Sequence, residues 1–501
     1  MWNEYRLAAA ARQHFRNRRI IVVSNREPYL EERRGGRILY TCPAGGLTSA
    51  LRPLISAIGG TWVAGGGSKD SGARTRVSLP PERPAFTLRR VTVPAAARAG
   101  YYEGAANQAL WPLCHNVYRR PLFRDADWAA YRRVNRLFAD AVLEEAGRGP
   151  AVVFVQDYHL ALLPRILRTN NPDLIVGQFW HIPWPAPEVL RMFPWADELL
   201  EGMLGNHLLG FHLDRHCNNF LAAAEEKENS AVDAERGVVC SGQHRTIVRS
   251  APISIDFDHD SERARAADVD RMMESWRQRI SPASLVGVGI DRGDYTKGIP
   301  ERLSAVRTLL EQKPEWRGKL TFVQVAVPTR GGIPEYADLE RTIHGLAEEI
   351  NSRWGTENWK PVILESRSLG QVEMMALHRL AHFCMVTPLH DGMNLVAKEF
   401  VASRSDLDGV LILSRFAGAA EELRSALLVN PFSESALVGS ILQALTMPAA
   451  ERRNRMAEAR AAVSANNIYS WAATMVGAFG EVISRGERPL GMPLRYEVSV
   501  A

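Results

Sequence analysis

The sequence predicts an α/β protein built from two doubly wound parallel sheets. Short apolar runs typical of buried strands alternate with longer amphipathic stretches that predict helices. At 501 residues the chain is long enough for two domains with complete cores. Its apolar content of 46% and charged content of 23% are ordinary for a globular protein.

Charge and cysteine content exclude several classes of protein. The net charge of +5 is small and the basic residues are scattered, which predicts no nucleic-acid partner and suits small anionic substrates. The five cysteines lie far apart without a Cys-x-x-Cys pair, which predicts reduced thiols in a cytoplasmic protein. No apolar run reaches the length of a membrane span, and residues 1–19 hold no apolar signal core, so we expect no membrane partner.

The first predicted domain covers residues 1–252. Its predicted strands are 20–24, 61–64, 86–93, 152–155, 175–180 and 208–211. Its predicted helices are 3–16, 47–58, 127–145, 214–224 and one or two within 188–204. The remaining segments predict a hairpin or loop at 31–40, a loop and short helix at 101–111, and an irregular polar excursion at 225–245.

The second predicted domain covers residues 253–467 and follows a crossing segment at 252–256. Its predicted strands, separated by helices, are 285–290, 320–327, 362–364, 383–386, 410–414 and 426–429. This alternation predicts a doubly wound parallel sheet. Helices are predicted at 433–447, 450–465 and 469–484, and residues 487–501 form a tail without a predicted role.

One strand, turn and helix near the end of this domain predicts a phosphate site. The strand 383–386 leads through Asp391, Gly392 and Asn394 into the helix 395–402. The free N–H groups and positive dipole at such a helix start bind phosphate well. Glu399, on the first turns, can accept two ribose hydroxyls. The alternative is an ordinary link with a solvated glutamate.

A second strand-to-helix loop of the same kind carries two cations. Arg292 and Lys297 follow the strand 285–290, and Pro300 begins the next helix. The carboxyl edge of such a sheet is where α/β proteins bind ligands, and the two cations suit a pyrophosphate. Neither loop has the Walker spacing or the dinucleotide glycine pattern, so neither an ATPase nor a dehydrogenase is indicated.

These two motifs, Asp291 to Gly298 and Asp391 to Glu399, resemble those of the trehalose-6-phosphate synthases. The resemblance runs over roughly residues 19–480, with four further matching islands: Val22–Arg26, Pro43–Leu47, Gln156–Leu160 and Phe179–Pro185. It implies the GT-B fold, in which two Rossmann-like domains face a central cleft. It also implies that a C-terminal helix, residues 468–486, crosses back onto the N-terminal domain.

The resemblance implies a retaining transfer of glucose from a nucleotide-glucose to glucose 6-phosphate. Among the nucleotide-glucoses, UDP-glucose is the favoured donor. Arg292 and Lys297 are then expected to stabilise the leaving diphosphate, in place of a metal. Asp157, His181 and Asp391 complete the expected catalytic set by orienting the sugars. No cofactor and no metal site are expected. The sequence leaves the oligomeric state open, with a homo-oligomer as one alternative.

The substrate-binding residues follow from the same resemblance. The donor residues are Gly46, Arg292, Lys297, Asp391, Gly392, Met393, Asn394, Leu395 and Glu399. The acceptor residues are Arg26, Tyr102, Trp111, Asp157 and Arg330. Arg26 could equally form a surface ion pair instead of binding substrate. For Tyr102 and Trp111 the alternative to substrate binding is packing in the core. His212 and His216 are four residues apart, as two zinc ligands on one helix would be. No further pair with metal-ligand spacing lies nearby, so we predict surface residues and not zinc ligands.

Departures from the family pattern leave the acceptor open, and the sequence does not distinguish UDP-glucose from ADP- or GDP-glucose as the donor. Gly293 replaces the usual Leu, His390 the usual Arg and Ala105 a frequent Phe, while Gly65 to Gly67 stand where a second Trp is usual. We hypothesise a wider acceptor pocket, against the alternative of compensated packing. Two further alternatives are a glucosylglycerol-phosphate synthase and a non-catalytic relative that binds sugar phosphates.

Overall fold

The structure is a computed structural model that describes residues 1–34, 37–41, 46–66 and 74–486. It confirms the predicted α/β architecture of two Rossmann-like units, each with its own largely parallel sheet. Three predicted features lie outside the described residues: Pro43 to Gly45 of the glycine turn, Gly67, and the tail 487–501.

The N-terminal unit holds a ten-stranded sheet and a separate two-stranded hairpin. Its strands are β1 (Arg19–Ser24), β2 (Leu30–Arg34), β3 (Arg37–Thr41), β4 (Thr61–Gly65), β5 (Arg76–Leu79), β6 (Phe86–Val91), β7 (Ala151–Gln156), β8 (Ile175–Phe179), β9 (Leu208–Phe211), β10 (Ser230–Asp233), β11 (Val238–Ser241) and β12 (His244–Ser250). The order is β10-β11-β12-β9-β8-β7-β1-β4-β6-β5. Strands β12 to β6 in that order are parallel, and the edge strands β5, β10 and β11 are antiparallel.

The C-terminal unit holds a six-stranded, fully parallel sheet of order β15-β14-β13-β16-β17-β18. Its strands are β13 (Leu285–Arg292), β14 (Leu320–Val327), β15 (Val362–Glu365), β16 (Phe383–Val386), β17 (Val410–Ser414) and β18 (Leu427–Val429). The first three strands build one half of the sheet and the next three the other half. This is the Rossmann order, with the direction of winding reversing between β13 and β16.

Helices cover both sheets. They are α1 (Glu4–Phe15), α2 (Gly46–Ile58), α3 (Ala95–Arg98), α4 (Trp111–His115), α5 (Asp125–Ala146), α6 (Leu163–Asn170), α7 (Pro187–Leu190), α8 (Ala196–Met203), α9 (Asp214–Glu225), α10 (Phe257–Arg263), α11 (Ala267–Arg277), α12 (Ile299–Gln312), α13 (Pro334–Trp354), α14 (Gln371–Leu380), α15 (Leu395–Ser403), α16 (Glu434–Thr446), α17 (Ala449–Ala465) and α18 (Ile468–Gly486). Within the described residues, none of them is long and apolar enough to cross a membrane.

The secondary-structure predictions for two segments are wrong. Residues 225–245 were expected to be irregular, but they contain β10, β11 and the start of β12, which extend the sheet through antiparallel pairing. Residues 101–111 were expected to be a loop and short helix, but Ala99–Leu110 is a π-helix that runs directly into α4. A π-helix is rare and frequently occurs at functional sites, and periodicity alone does not predict it.

The last helix, α18, returns to the N-terminal unit as expected. The backbone N–H of Ile468 donates to Ile255 O at 2.8 Å, which joins the two segments that pass between the units. Phe479 then packs against Phe154 of β7 and Phe15 of α1, with ring centroids 5.5 and 6.0 Å apart. The N-terminal core therefore contains residues from both ends of the chain.

The winding reversal places the predicted residues at two facing edges. In the N-terminal sheet the reversal lies between β1 and β7, which are followed by Arg26 and Asp157. In the C-terminal sheet it lies between β13 and β16, which lead to Lys297 and Asp391. Ligands of doubly wound proteins bind at this point of the sheet.

Candidate active site

The loop after β13 is held in shape by a buried turn. Asp294 Oδ1 accepts from the Thr296 backbone N–H at 3.0 Å and starts the short 3₁₀ turn that carries Lys297. Gly298 follows with φ of +65°, and a Cβ there would lie 2.3 Å from Thr387 O. Only glycine allows this conformation and this close approach, so the loop shape depends on it.

Lys297 and Asp391 form an ion pair between the two ligand loops. Lys297 Nζ lies 2.5 Å from Asp391 Oδ2, and the side chains are 10% and 14% exposed. Burial alone would raise the pKa of Asp391, but the charge and hydrogen bond of Lys297 outweigh it and lower the pKa to about 2. Asp391 is therefore ionised at neutral pH.

Arg302, which sequence reasoning missed, ties these loops together from beneath. Its side chain is fully buried and donates to four groups: Asp291 Oδ2 at 2.9 Å, Thr387 Oγ1 at 3.1 Å, Gln324 Oε1 at 3.0 Å and Lys297 O at 3.3 Å. A buried guanidinium must be paired to be tolerated, and this one joins β13, β14 and β16. No sequence signal distinguishes Arg302 from a surface arginine of α12.

The start of α15 is open towards the cleft. Asn394, at the N-cap with φ of +74°, uses its side chain to donate to Asp391 Oδ2 at 3.1 Å and does not cap the helix. The N–H groups from Leu395 onward therefore stay available, as a phosphate site requires. Met393 lies buried beneath this turn, and its backbone O accepts from Ala419 N at 2.9 Å.

Glu399 lies one turn further along α15. Burial raises the pKa of its carboxyl to about 7. Asp260 of α10 is near enough for the charge of Glu399 to help raise its pKa, also to about 7, after the larger effect of burial. Two carboxyls thus share the region where Glu399 is predicted to bind a ribose.

On the opposite side, Arg26 and Tyr102 lie at the edge of the N-terminal sheet. Arg26 Nη2 donates to Tyr102 OH at 2.9 Å, and the Tyr102 ring stacks on His159 with centroids 5.8 Å apart. Burial alone would raise the pKa of Tyr102, but the charges of Arg26, Arg330 and Arg292 outweigh it and lower that pKa. Arginines from both units therefore converge on one phenol.

Trp111 lies between the units and is both a core residue and a cleft residue. It is 5% exposed, yet the Arg330 guanidinium lies 4.1 Å and that of Arg292 5.6 Å from its ring centroid. Cations over an indole face are attracted by its quadrupole. The structure therefore brings three predicted residues, Trp111, Arg292 and Arg330, into one cluster.

Arg330 is itself anchored by a carboxylate that sequence reasoning missed. Its Nη1 lies 3.0 Å from Asp294 Oδ2, and it also donates to Tyr336 OH. Burial alone would raise the pKa of Asp294, but Arg330, Arg292 and Lys297 together lower it. Asp294 thus joins the turn of Lys297 to the side chain of Arg330.

Asp157 and His181 lie side by side at the cleft edge. Asp157 Oδ1 accepts from the backbone N–H of His181 at 3.3 Å, and Asp157 has an unusual φ of +72°. Burial raises the pKa of Asp157 to about 6. His181 Nε2 lies 3.0 Å from Gln156 Oε1, and burial, with the charge of His212, lowers its pKa well below the usual value.

Among the residues that the structure describes, buried polar atoms of the cleft without a hydrogen-bond partner include Trp111 Nε1, His115 Nε2, Arg330 Nε and Asn394 Oδ1. Buried polar atoms are nearly always paired, with protein, water or ligand, because an unpaired one costs about 1–3 kcal/mol. The atoms of Trp111, His115 and Arg330 lie close together, which favours the binding of a polar ligand at this place.

The prediction that His212 and His216 are surface residues is wrong, since each is 2% exposed. His212 Nε2 donates to His181 O at 3.1 Å and so supports the backbone of a predicted site residue. Among the residues that the structure describes, no three His, Cys, Asp or Glu side chains are grouped to hold a metal.

Two glycines near the acceptor side do not widen the pocket. A Cβ on Gly65 would lie 2.8 Å from Asn25 O, and one on Gly66 would lie 2.7 Å from the Glu27 carboxylate. The space is therefore filled by the loop after β1, which contradicts a wider pocket at these positions. Ala105 is 2% exposed within the π-helix and belongs to the core.

Gly46 begins α2 at the N-terminal edge, as the phosphate-turn prediction requires. Because Pro43 to Gly45 lie outside the described residues, its donor contact stays a prediction. The other predicted residues lie together in one cleft, and their roles likewise stay predictions.

The chain matches the model of glycosyltransferase family 20 over residues 18–481. It is 37% identical to a trehalose-6-phosphate synthase of Mycobacterium sp. (strain KMS), over 94% of this chain and 96% of the relative. Among solved structures, it matches a UDP-forming α,α-trehalose-phosphate synthase from Burkholderia xenovorans in complex with glucose-6-phosphate. That match has 31% identity, a TM-score of 0.83 and coverage of 92% and 99%. An E. coli enzyme bound with UDP-2-fluoro glucose matches with 30% identity, a TM-score of 0.83 and the same coverage.

Proposed function

The chain belongs to glycosyltransferase family 20, and from this membership we propose that it transfers glucose from UDP-glucose to glucose 6-phosphate. The products are trehalose 6-phosphate and UDP. UDP is the nucleotide named for the similar Burkholderia xenovorans structure, and glucose 6-phosphate is the sugar bound there. These two names favour this donor and acceptor over ADP- or GDP-glucose and over other phosphorylated acceptors.

One observation carries the proposal: three arginines from both units line one wall, where Arg26 donates to Tyr102 OH and the guanidinium groups of Arg330 and Arg292 lie 4.1 and 5.6 Å from the Trp111 ring centroid. Clustered guanidinium groups suit phosphate oxygens, to which they bond in a bidentate manner. Arg26 and Arg330 bind the acceptor phosphate, with Tyr102 and Trp111 forming the wall of the acceptor site. Arg292 faces the same wall and reaches the donor diphosphate.

The donor lies along the edge of the C-terminal sheet. Arg292, Lys297 and the open N-terminus of α15 bind its diphosphate, while Glu399 binds the ribose. Asp391, held by Lys297, accepts from glucose hydroxyls. We assign the donor to residues 253–467 and the acceptor to residues 1–252 together with 468–486, while Gly46 contacts the donor phosphates from the acceptor side.

The chemistry is a substitution at the anomeric carbon with retained configuration. The bond from the anomeric carbon to the β-phosphate oxygen breaks, and the anomeric hydroxyl oxygen of glucose 6-phosphate forms the new bond on the same face. The proton of that hydroxyl passes to the leaving phosphate. Arg292 and Lys297 stabilise the charge that grows on this phosphate, and Asp157 and His181 place the sugars.

Two further expectations concern the molecule as a whole. Cys114, Cys217, Cys240 and Cys384 are free thiols, which fits the proposed cytoplasmic location. The alternative of a homo-oligomer is tested by size-exclusion chromatography with light scattering.

The test incubates the purified protein with UDP-, ADP- and GDP-glucose, each against a panel of phosphorylated acceptors including glycerol 3-phosphate. Mass spectrometry identifies the products, and NMR coupling constants report the anomeric configuration. Arg292→Ala is the inactive reference. Arg307→Ala is the matched control, since Arg307 of α12 pairs with Glu349 at the surface. Absence of trehalose 6-phosphate from UDP-glucose and glucose 6-phosphate would overturn the proposal.

A further inference from the structure

A hydrogen bond joins the two units directly across the cleft. His390 Nδ1, on the donor loop, donates to the backbone O of His115 at 2.6 Å. His115 closes α4 of the N-terminal unit and is fully buried, while His390 immediately precedes Asp391. We propose that His390 is a positioning residue that latches the closed cleft and sets the donor loop against the acceptor wall.

The donor loop touches the N-terminal unit at a second point, which fixes the direction of approach. A Cβ on Gly392 would lie 2.5 Å from His181 O and 3.2 Å from the Cα of Ile182. Only a glycine permits such a close backbone approach. The segment from His390 to Gly392 is thus seated between α4 and the end of β8.

The latch continues to the acceptor wall through the ring of His115. His115 Nδ1 donates to Trp111 O at 2.9 Å, and the two ring centroids are 4.0 Å apart. Trp111 also contacts Arg330, whose guanidinium lies 4.1 Å from the Trp111 ring centroid. His390 bonds to His115, and His115 supports Trp111, so we expect a displacement of His390 to reach Trp111 through His115.

The latch works as a neutral imidazole. Burial is the main cause that lowers the pKa of His390, and the charge of Arg215 adds to it, while the His115 carbonyl and Asp391 act in the opposite direction. His390 therefore keeps one N–H, which the His115 carbonyl fixes on Nδ1.

The test compares two variants. His390→Leu removes the N–H that bonds to His115 O, whereas the side-chain amide of His390→Asn places an N–H near the Nδ1 position. His382→Ala is the matched control, because His382 Nδ1 accepts from Val286 N at 2.9 Å at the opposite edge of the same sheet. We expect kcat/KM to fall about three- to tenfold in His390→Leu, the range of one net hydrogen bond. His390→Asn is expected to recover most of this loss, and His382→Ala to stay near native.

A structural readout separates this inference from the proposed function on which its kinetic test rests. Small-angle X-ray scattering with saturating UDP-glucose is expected to give a larger radius of gyration for His390→Leu than for the native protein, His390→Asn or His382→Ala. If His390→Leu does not fold, His390→Ala replaces it. A native radius of gyration together with a native kcat/KM in His390→Leu would overturn the proposed latch. If the native protein transfers no glucose, the proposed function fails, while the scattering comparison still decides the latch.

Discussion

Arg330 and Asp294 form an ion pair of 3.0 Å in which the side chains are only 2% and 0% exposed. Arg330→Ala therefore leaves a buried carboxylate without its partner, which costs about 3–5 kcal/mol of unfolding free energy. Arg26 is exposed, so Arg26→Ala is expected to raise the KM for glucose 6-phosphate without lowering stability. Urea unfolding and steady-state kinetics distinguish the two effects. Equal rises in the KM values of donor and acceptor in Arg26→Ala would contradict a phosphate contact.

Arg292 and Lys297 are expected to stabilise the leaving diphosphate in the transition state. Arg292→Ala or Lys297→Ala should lower kcat by about 100-fold or more, the scale of losing one preorganised donor. Arg292→Ala is the cleaner test, because Lys297 also holds Asp391 ionised. Stopped or continuous assays of UDP release measure the effect, with Arg307→Ala as control. Near-native kcat in Arg292→Ala would disprove its assignment.

Glu399 gives a prediction about pH and stability. Because burial raises its pKa to about 7, the folded protein retains a proton that the unfolded chain releases at lower pH. Its contribution to unfolding free energy is therefore present below the unfolded pKa of about 4.5 and is lost as the pH rises through about 7. Glu399→Gln should flatten this part of the stability curve. Urea titrations across the window measure it, with Glu349→Gln, an exposed position, as control. An unchanged slope would refute the raised pKa.

Metal independence follows from the two cations assigned to the diphosphate. Activity is expected to survive an excess of EDTA with at most a modest loss, because Arg292 and Lys297 supply the positive charge that a divalent cation would otherwise provide. The measurement is initial rate before and after chelation, with magnesium added back. Complete loss restored by magnesium would contradict the expectation.

Ala105 tests the choice of acceptor. Because Ala105 is 2% exposed in the core, Ala105→Phe overpacks it and is expected to destabilise the protein by about 1–3 kcal/mol. We expect the preference for glucose 6-phosphate over mannose, fructose and glucosamine 6-phosphates to stay the same in the variant. Relative kcat/KM values for the four acceptors measure it. A narrowed acceptor range in the variant would restore the hypothesis of a wider pocket.

The sequence was sufficient for most of the fold and for the location of the site. The parallel strands are short apolar runs, and the ligand loops follow them at the carboxyl edge, so Arg26, Asp157, Lys297 and Asp391 could be placed near one another. Alternation of strand and helix likewise predicted the C-terminal sheet strand by strand.

What the sequence could not show depends on long-range contacts. Strands β10 and β11 are short and partly polar, and they form by pairing in series, β10 with β11 and β11 with β12. Arg302 and His212 are types usually found at the surface, and their burial follows from partners distant in sequence. The ion pair of Asp294 with Arg330 joins two loops whose proximity no local pattern encodes.

The return of α18 has a consequence for synthesis on the ribosome. The apolar surface of Phe154 and Phe179 is covered by Trp471 and Phe479, which are translated about three hundred residues later. The N-terminal sheet therefore cannot bury this surface while the C-terminal sheet is being made. We expect the N-terminal domain of the nascent chain to stay incomplete until α18 leaves the exit tunnel, and we expect chaperone binding or aggregation at this stage.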